Sequence, residues 1–242
     1  MNTRVKAVFS KELREFRRNK FVVGSMVVLP VFLIILPIGN ILSLKVGTSA
    51  AAIRSVVGGA SLTFFLVPLI LPTVIAGYAI VGEREQGTLE PVLTTPVRGS
   101  ELLMGKALAA IVPTVVIAWG LYLVYALVIH SSAIPEVVDL VWQPAQALAV
   151  VLFAPLLATF SIWVGLAISA RSSDVRVAQQ LAALAMLPVL GLTALFTFRA
   201  ISPTVTVAVI GAVILLVFDA FAWRVVSAMF DRERMLTRYG RS

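Results

Sequence analysis

Apolar residues run along this chain in six long stretches, each bounded by a short polar segment. A helix needs about 20 residues to cross roughly 30 Å of hydrocarbon at about 1.5 Å per residue. The stretches at 21–44, 57–81, 107–130, 143–170, 178–198 and 204–226 meet that length. They predict an all-α integral membrane fold with six transmembrane helices, read as a single transmembrane domain over 1–242. The run at 143–170 is long enough to tilt or to begin with an interfacial turn. Ahead of the first span, Val5, Phe9, Leu13 and Phe16 recur at helical spacing among Arg4, Lys6, Lys11, Arg14, Arg17, Arg18 and Lys20. Such a stripe predicts an amphipathic interfacial helix over 3–20, although a plain basic flank would carry the same charges. Proline recurs inside the spans at 30, 37, 68, 72, 113, 155 and 188, which predicts kinks.

Composition strengthens the membrane reading: 60% of the residues are hydrophobic and 13% are charged. Soluble domains carry about twice that charge. The charges also orient the bundle. With the N-terminus inside, 17 of the 20 Lys and Arg fall on one side and 3 on the other, so both termini are expected in the cytoplasm. The basic residues run on to Lys20 and the apolar run that follows exceeds a signal core, so no cleavable leader is expected. The net charge of +8 belongs to this asymmetry and to anionic lipid, so nucleic acid is not an expected partner. There is no cysteine and one histidine, His130, so no metal site is expected, and His130 suits the outer interface.

The polar island at 82–106 carries the most information. Glu83, Arg84 and Glu85 close the second span, Gly87 and Thr88 break the helical pattern, and Glu90 precedes Pro91. Thr95-Pro96 can start a second turn, and Ser100 can cap the helix that becomes span three. Such a break, short helix and re-entry would form an elbow on the basic side; a solvated loop fits the same residues. Gly82 and Gly87 have the glycine spacing of a phosphate-binding loop but not its chemistry, because the lysine that reaches the phosphates is missing and acids stand between them. No catalytic residues are expected, so the chain is read as a non-enzyme.

Glu83-Arg-Glu-Gln-Gly-Thr-Leu-Glu90, Thr95-Pro96-Val97, Glu101-Leu-Leu103 and Gly105-Lys106 resemble the signature of ABC-2 type permeases, the membrane subunits of one class of ATP-binding-cassette exporters. Lys11 to Lys20 is similar to that family's N-terminal connecting helix, and Ser169 to Gln180 to its second cytoplasmic connection. The resemblance implies an exporter subunit that dimerises, with itself or a related permease, and couples to a separate ABC ATPase holding ATP and Mg. It implies that Glu83, Arg84, Glu85, Gly87, Thr88, Leu89, Glu90, Thr95 and Pro96 form the ATPase-coupling elbow, with Asp174 and Arg176 as supporting cytoplasmic contacts. It implies a multi-pass protein of a prokaryotic cell membrane. Pro91 departs from the family's helix-compatible pattern. The segment between spans five and six, about five residues, is too short for the re-entrant hairpin of polysaccharide exporters.

Asp219 lies inside the last span and supports a competing reading, an ion-coupled secondary transporter. The alternative for Asp219 is structural: a carboxylate facing the bundle, or paired near the inner end with Arg224 or another helix. A secondary transporter would be expected to show inverted repeats, and none is evident in the sequence. A membrane scaffold without transport is the remaining reading.

Overall fold

The computed structural model describes residues 3–83, Gly87, 97–197 and 205–229. Every regular element among them is helical. They are α1 (Thr3–Arg18), α2 (Lys20–Leu42), α3 (Ala50–Gly77, continued by a π-helical turn Tyr78–Gly82), α4 (Gly99–Ser132), α5 (Pro135–Val141), α6 (Pro144–Ser169), α7 (Val175–Thr197) and α8 (Val205–Met229). Six of these, all but α1 and α5, are long and apolar enough to cross a membrane.

The bundle is built around α3, which packs against α2, α4, α6 and α7. In lipid no hydrophobic force draws helices together, so close packing at small residues and interhelical hydrogen bonds must do it. Both are present. A Cβ on Gly165 of α6 would lie 2.5 Å from the Ala76 Cβ of α3, so only glycine permits this crossing. Toward the outer end, the Gln146 side-chain amide donates to the Ser61 hydroxyl, and Tyr122 donates to the Val141 carbonyl at 3.2 Å. Phe64, Tyr122 and Tyr125 pack ring against ring beside them. His130 meets Trp142 at 5.7 Å between ring centres, and both are exposed.

Three features differ from the sequence pattern, the first being that span two starts at Ala50 rather than 57, with the Ser49 hydroxyl accepting from the Ala52 N–H at 3.3 Å. Span three extends down to Gly99, and its start is fixed by the Glu101 carboxylate accepting from the Arg98 backbone N–H at 3.0 Å rather than by Ser100. The outer segment before α6 contains the short helix α5, which buries Val137 and Val141 against the outer core.

α1 joins α2 through a single residue, Asn19. Its backbone N–H bonds back to Glu15 and Phe16 of α1 at 3.0 and 3.1 Å, while its side-chain oxygen accepts from Phe21 and Val22 of α2 at 3.0 and 3.3 Å. One face of α1, with Val5, Val8, Glu12 and Phe16, is buried on the bundle, chiefly on α4. The contact is closest at Gly105, where a Cβ would lie 2.5 Å from Val8 Cγ1 and 3.3 Å from the Phe9 backbone nitrogen.

These contacts predict opposite outcomes for two substitutions in one helix. Gly105→Ala should force α1 off α4 and lower stability by about 1–3 kcal/mol, as overpacking does. Gly120→Ala meets nothing within 4 Å and should be neutral or mildly stabilising through helix propensity. Thermal unfolding of both purified variants in one detergent checks this, and equal melting temperatures would contradict it.

Candidate functional site

Glu83 follows the π turn of α3 and immediately precedes the polar segment read from the sequence as an elbow. A π turn inserts an extra residue into a helix and is rare unless held from outside. Here α6 and α7 hold it. The Ser169 hydroxyl accepts from the Val81 N–H at 3.3 Å and donates to the Gly77 carbonyl at 3.4 Å, so one side chain spans the turn. Gln179 of α7 donates to the Val74 carbonyl at 3.3 Å, and its Cγ would be 2.6 Å from any Cβ at position 77, so Gly77 is needed for its approach. Gly87, the one described residue between Glu83 and Val97, has φ of 66°, a left-handed conformation that suits glycine.

So held, the Glu83 carboxylate enters a buried charge network. Lys106 of α4 lies 2.8 Å from Glu83 and 2.9 Å from Glu12 of α1. Lys11 of α1 lies 2.9 Å from Glu83, 3.3 Å from Glu12 and 3.1 Å from Glu15. Lys106 and Glu12 are 3% and 2% exposed and Glu83 8%, so this is a low-dielectric cluster rather than a surface patch. Arg4 meets Glu101 at 3.5 Å, adding a half-exposed second tie between α1 and α4. The three carboxylates of Glu12, Glu15 and Glu83 come within 4.8 Å of one another, a spacing that would also suit a cation. The ammonium of Lys11 touches all three, so lysine supplies that positive charge. Burial alone would lower the Lys11 ammonium, but the carboxylates of Glu12, Glu83 and Glu15 outweigh it and raise the group above its ordinary 10.5. Its stabilising contribution is therefore complete at neutral pH and is lost as the pH rises from the ordinary 10.5 through the raised value.

The segment 84–96 is thus bracketed: Glu83 stands before it, Lys106 after it, and α1 is tied to both. A comparison with protein-family models matches residues 3–209 to the ABC-2 type transporter family. The chain belongs to the ABC-2 type transporter family. It is therefore a multi-pass membrane protein and the permease component of an ABC transporter. A comparison with curated proteins found no match.

For this ABC-2 chain the sequence-derived site residues divide as follows. Glu83 and Gly87 are described as above; Arg84, Glu85, Thr88, Leu89, Glu90, Thr95 and Pro96 lie outside the described residues. Asp174 caps α7, its carboxylate accepting from the Arg176 and Val177 N–H groups at 2.7 and 3.1 Å. Both Asp174 and Arg176 are exposed, and no ion pair joins them to the charge network among the described residues. Asp219 is buried, and Arg224 is exposed and forms no ion pair with it, so the pairing weighed for these two residues is not made among the described residues. The sequence reading missed Glu12, Lys106 and Lys11 as a unit. The signal was an acid on the apolar side of α1, between Phe9 and Phe16, and a lysine set inside an apolar helix.

Lys106→Met should leave the Glu12 and Glu83 carboxylates buried against each other and destabilise the protein by about 3–5 kcal/mol. Adding Glu12→Gln should recover a substantial part of the loss. A double-mutant cycle on thermal unfolding measures this coupling, and strict additivity would show that the buried pair is not energetically linked.

Proposed function

We propose that this chain is the permease of an ABC exporter, working as a dimer in a prokaryotic cell membrane with two copies of a separate ATPase that holds ATP and Mg. The elbow, with Glu83, Arg84, Glu85, Gly87, Thr88, Leu89, Glu90, Thr95 and Pro96, docks on that ATPase. Asp174 and Arg176 add contacts from the neighbouring connection.

The observation that carries this reading is the bracket around the elbow. A displaced loop would move nothing if its two ends were loosely attached. Here Glu83 and Lys106 are tied to each other at 2.8 Å and both are tied to α1. Behind Glu83, the π turn is fastened to α6 and α7 through Ser169 and Gln179. A push on the elbow therefore reaches α1, α3, α4, α6 and α7 together, and packed bundles respond to such a push by switching arrangement rather than by bending. ATP-driven closure of two ATPase subunits would in this way alternate the access of the substrate path.

The tagged chain, purified from its native membrane in mild detergent, should retain an ATPase subunit and ATP hydrolysis. In the reconstituted complex Glu83→Ala should insert normally yet lower transport per ATP by about tenfold, an ordinary size for a coupling energy. If no ATPase is retained under several gentle conditions, the assembly proposed is wrong. If it is retained and Glu83→Ala transports normally, the elbow's role is wrong.

A further inference from the structure

The Ser169 hydroxyl does more than touch the π turn. In a regular α-helix the Val81 N–H would donate to the Gly77 carbonyl, four positions back. Here the hydroxyl bonds both members of that pair, accepting from Val81 at 3.3 Å and donating to Gly77 at 3.4 Å. A side chain of α6 is thus inserted into one rung of the α3 ladder, and such insertion deforms a helix locally. The π turn Tyr78–Gly82 lies at that rung. One turn earlier the Gln179 amide donates to the Val74 carbonyl, so α7 supports the same stretch. Val81 also packs with Val175 and Ala178 at the start of α7. Tyr78-Ala-Ile-Val-Gly82 contains no proline, so nothing in the segment itself forbids an ordinary α turn.

The two registers place Glu83 differently. A π turn holds one residue more than the α turn it replaces. Closing the rung would therefore rotate every residue after it by about 100° around the helix axis. Gly82 would then stand where Glu83 stands, and the carboxylate would leave Lys106 and Lys11, now at 2.8 and 2.9 Å. Lys106, 3% exposed, would keep Glu12 alone of the two acids that now hold it. The π register and the charge network thus depend on each other. Ser169 is also well placed to transmit a movement. It is the last residue of α6, fully buried, and five positions before Asp174, which caps α7. A shift of this connection that withdrew the hydroxyl would let the rung close and would withdraw Glu83.

We propose that Ser169 is a positioning residue for Glu83: its hydroxyl holds α3 in the π register, and its withdrawal switches the turn to α and releases the carboxylate from the network. As a device of the fold this stands on the geometry; as a step in transport it rests on the coupling role proposed above. The test uses the purified full chain in lipid nanodiscs, without any ATPase. Thermal unfolding is measured for Glu83→Gln, Lys106→Met and the double variant. Their shifts in melting temperature should be non-additive in the wild type, because the two ions touch. In the Ser169→Ala background the non-additivity should vanish. Deleting Ala79 removes the extra residue, so an α turn then presents Glu83 to Lys106 unaided. Ser169→Ala combined with that deletion should recover the non-additivity, which the loss of a merely structural hydrogen bond would not allow. The drop in melting temperature caused by Ser169→Ala should likewise largely disappear once Ala79 is deleted. That second comparison serves even where Ser169→Ala alone folds poorly, since a chain folded only with the deletion supports the register switch. Non-additivity unchanged by Ser169→Ala, non-additivity still lost after the deletion, or an equal cost of Ser169→Ala with and without Ala79 would overturn the proposal. A register effect found in a chain that retains no ATPase would keep the device and remove only its place in transport.

Discussion

A lysine ammonium shut away from water between two carboxylates governs the basic end of this bundle. Lys106 is nearly fully buried, and its two short contacts, to Glu12 and Glu83, come from different helices. Neither acid could be buried alone at that depth, and neither could the lysine. Each of the three elements is therefore committed to its position by the other two. The close crossing at Gly105 and the hydroxyl clasp of Ser169 are geometric conditions for this arrangement, since they bring α1 onto α4 and set the end of α3. The apolar packing of Phe16, Ile80 and Leu103 in the inner core surrounds the charges and keeps the local dielectric low.

Much of the fold was legible in the sequence because membrane spans obey a simple length requirement. Six apolar runs became six long helices, and the run beginning at 143 became α6, starting at Pro144. The errors fell where polar contacts decide a boundary. α4 begins earlier than its apolar run because Glu101 reaches back to the Arg98 backbone, and a hydropathy pattern does not register such a bond. The stripe on α1 was readable as helical, but its partner was not: an amphipathic face can meet lipid or protein, and here Val5, Val8 and Phe16 meet the bundle.

The site was legible only in part. Glu83 and Gly87 stood out because charges and a glycine interrupt an apolar run. Lys106 and Glu12 did not, since they are separated from each other by most of a hundred positions and each is unremarkable in its own segment until the helices cross. Asp219 was visible as an intramembrane acid, but its relation to Arg224 depended on which helical face each residue takes, and the two faces diverge.

The joint at Asn19 gives α1 the character of a lever. With one residue between the helices and hydrogen bonds on both sides of it, α1 and α2 turn as a bent rod rather than as two tethered pieces. Glu12 stands seven positions from that corner, an arm of about 10 Å. If α2 tilts by about 6° and α1 follows rigidly, the Glu12 backbone travels about 1 Å. Against a contact of 2.9 Å to Lys106, that displacement is enough to stretch the hydrogen bond unless the two side chains follow. The network thus registers the inclination of the first span as strain in a buried ion pair.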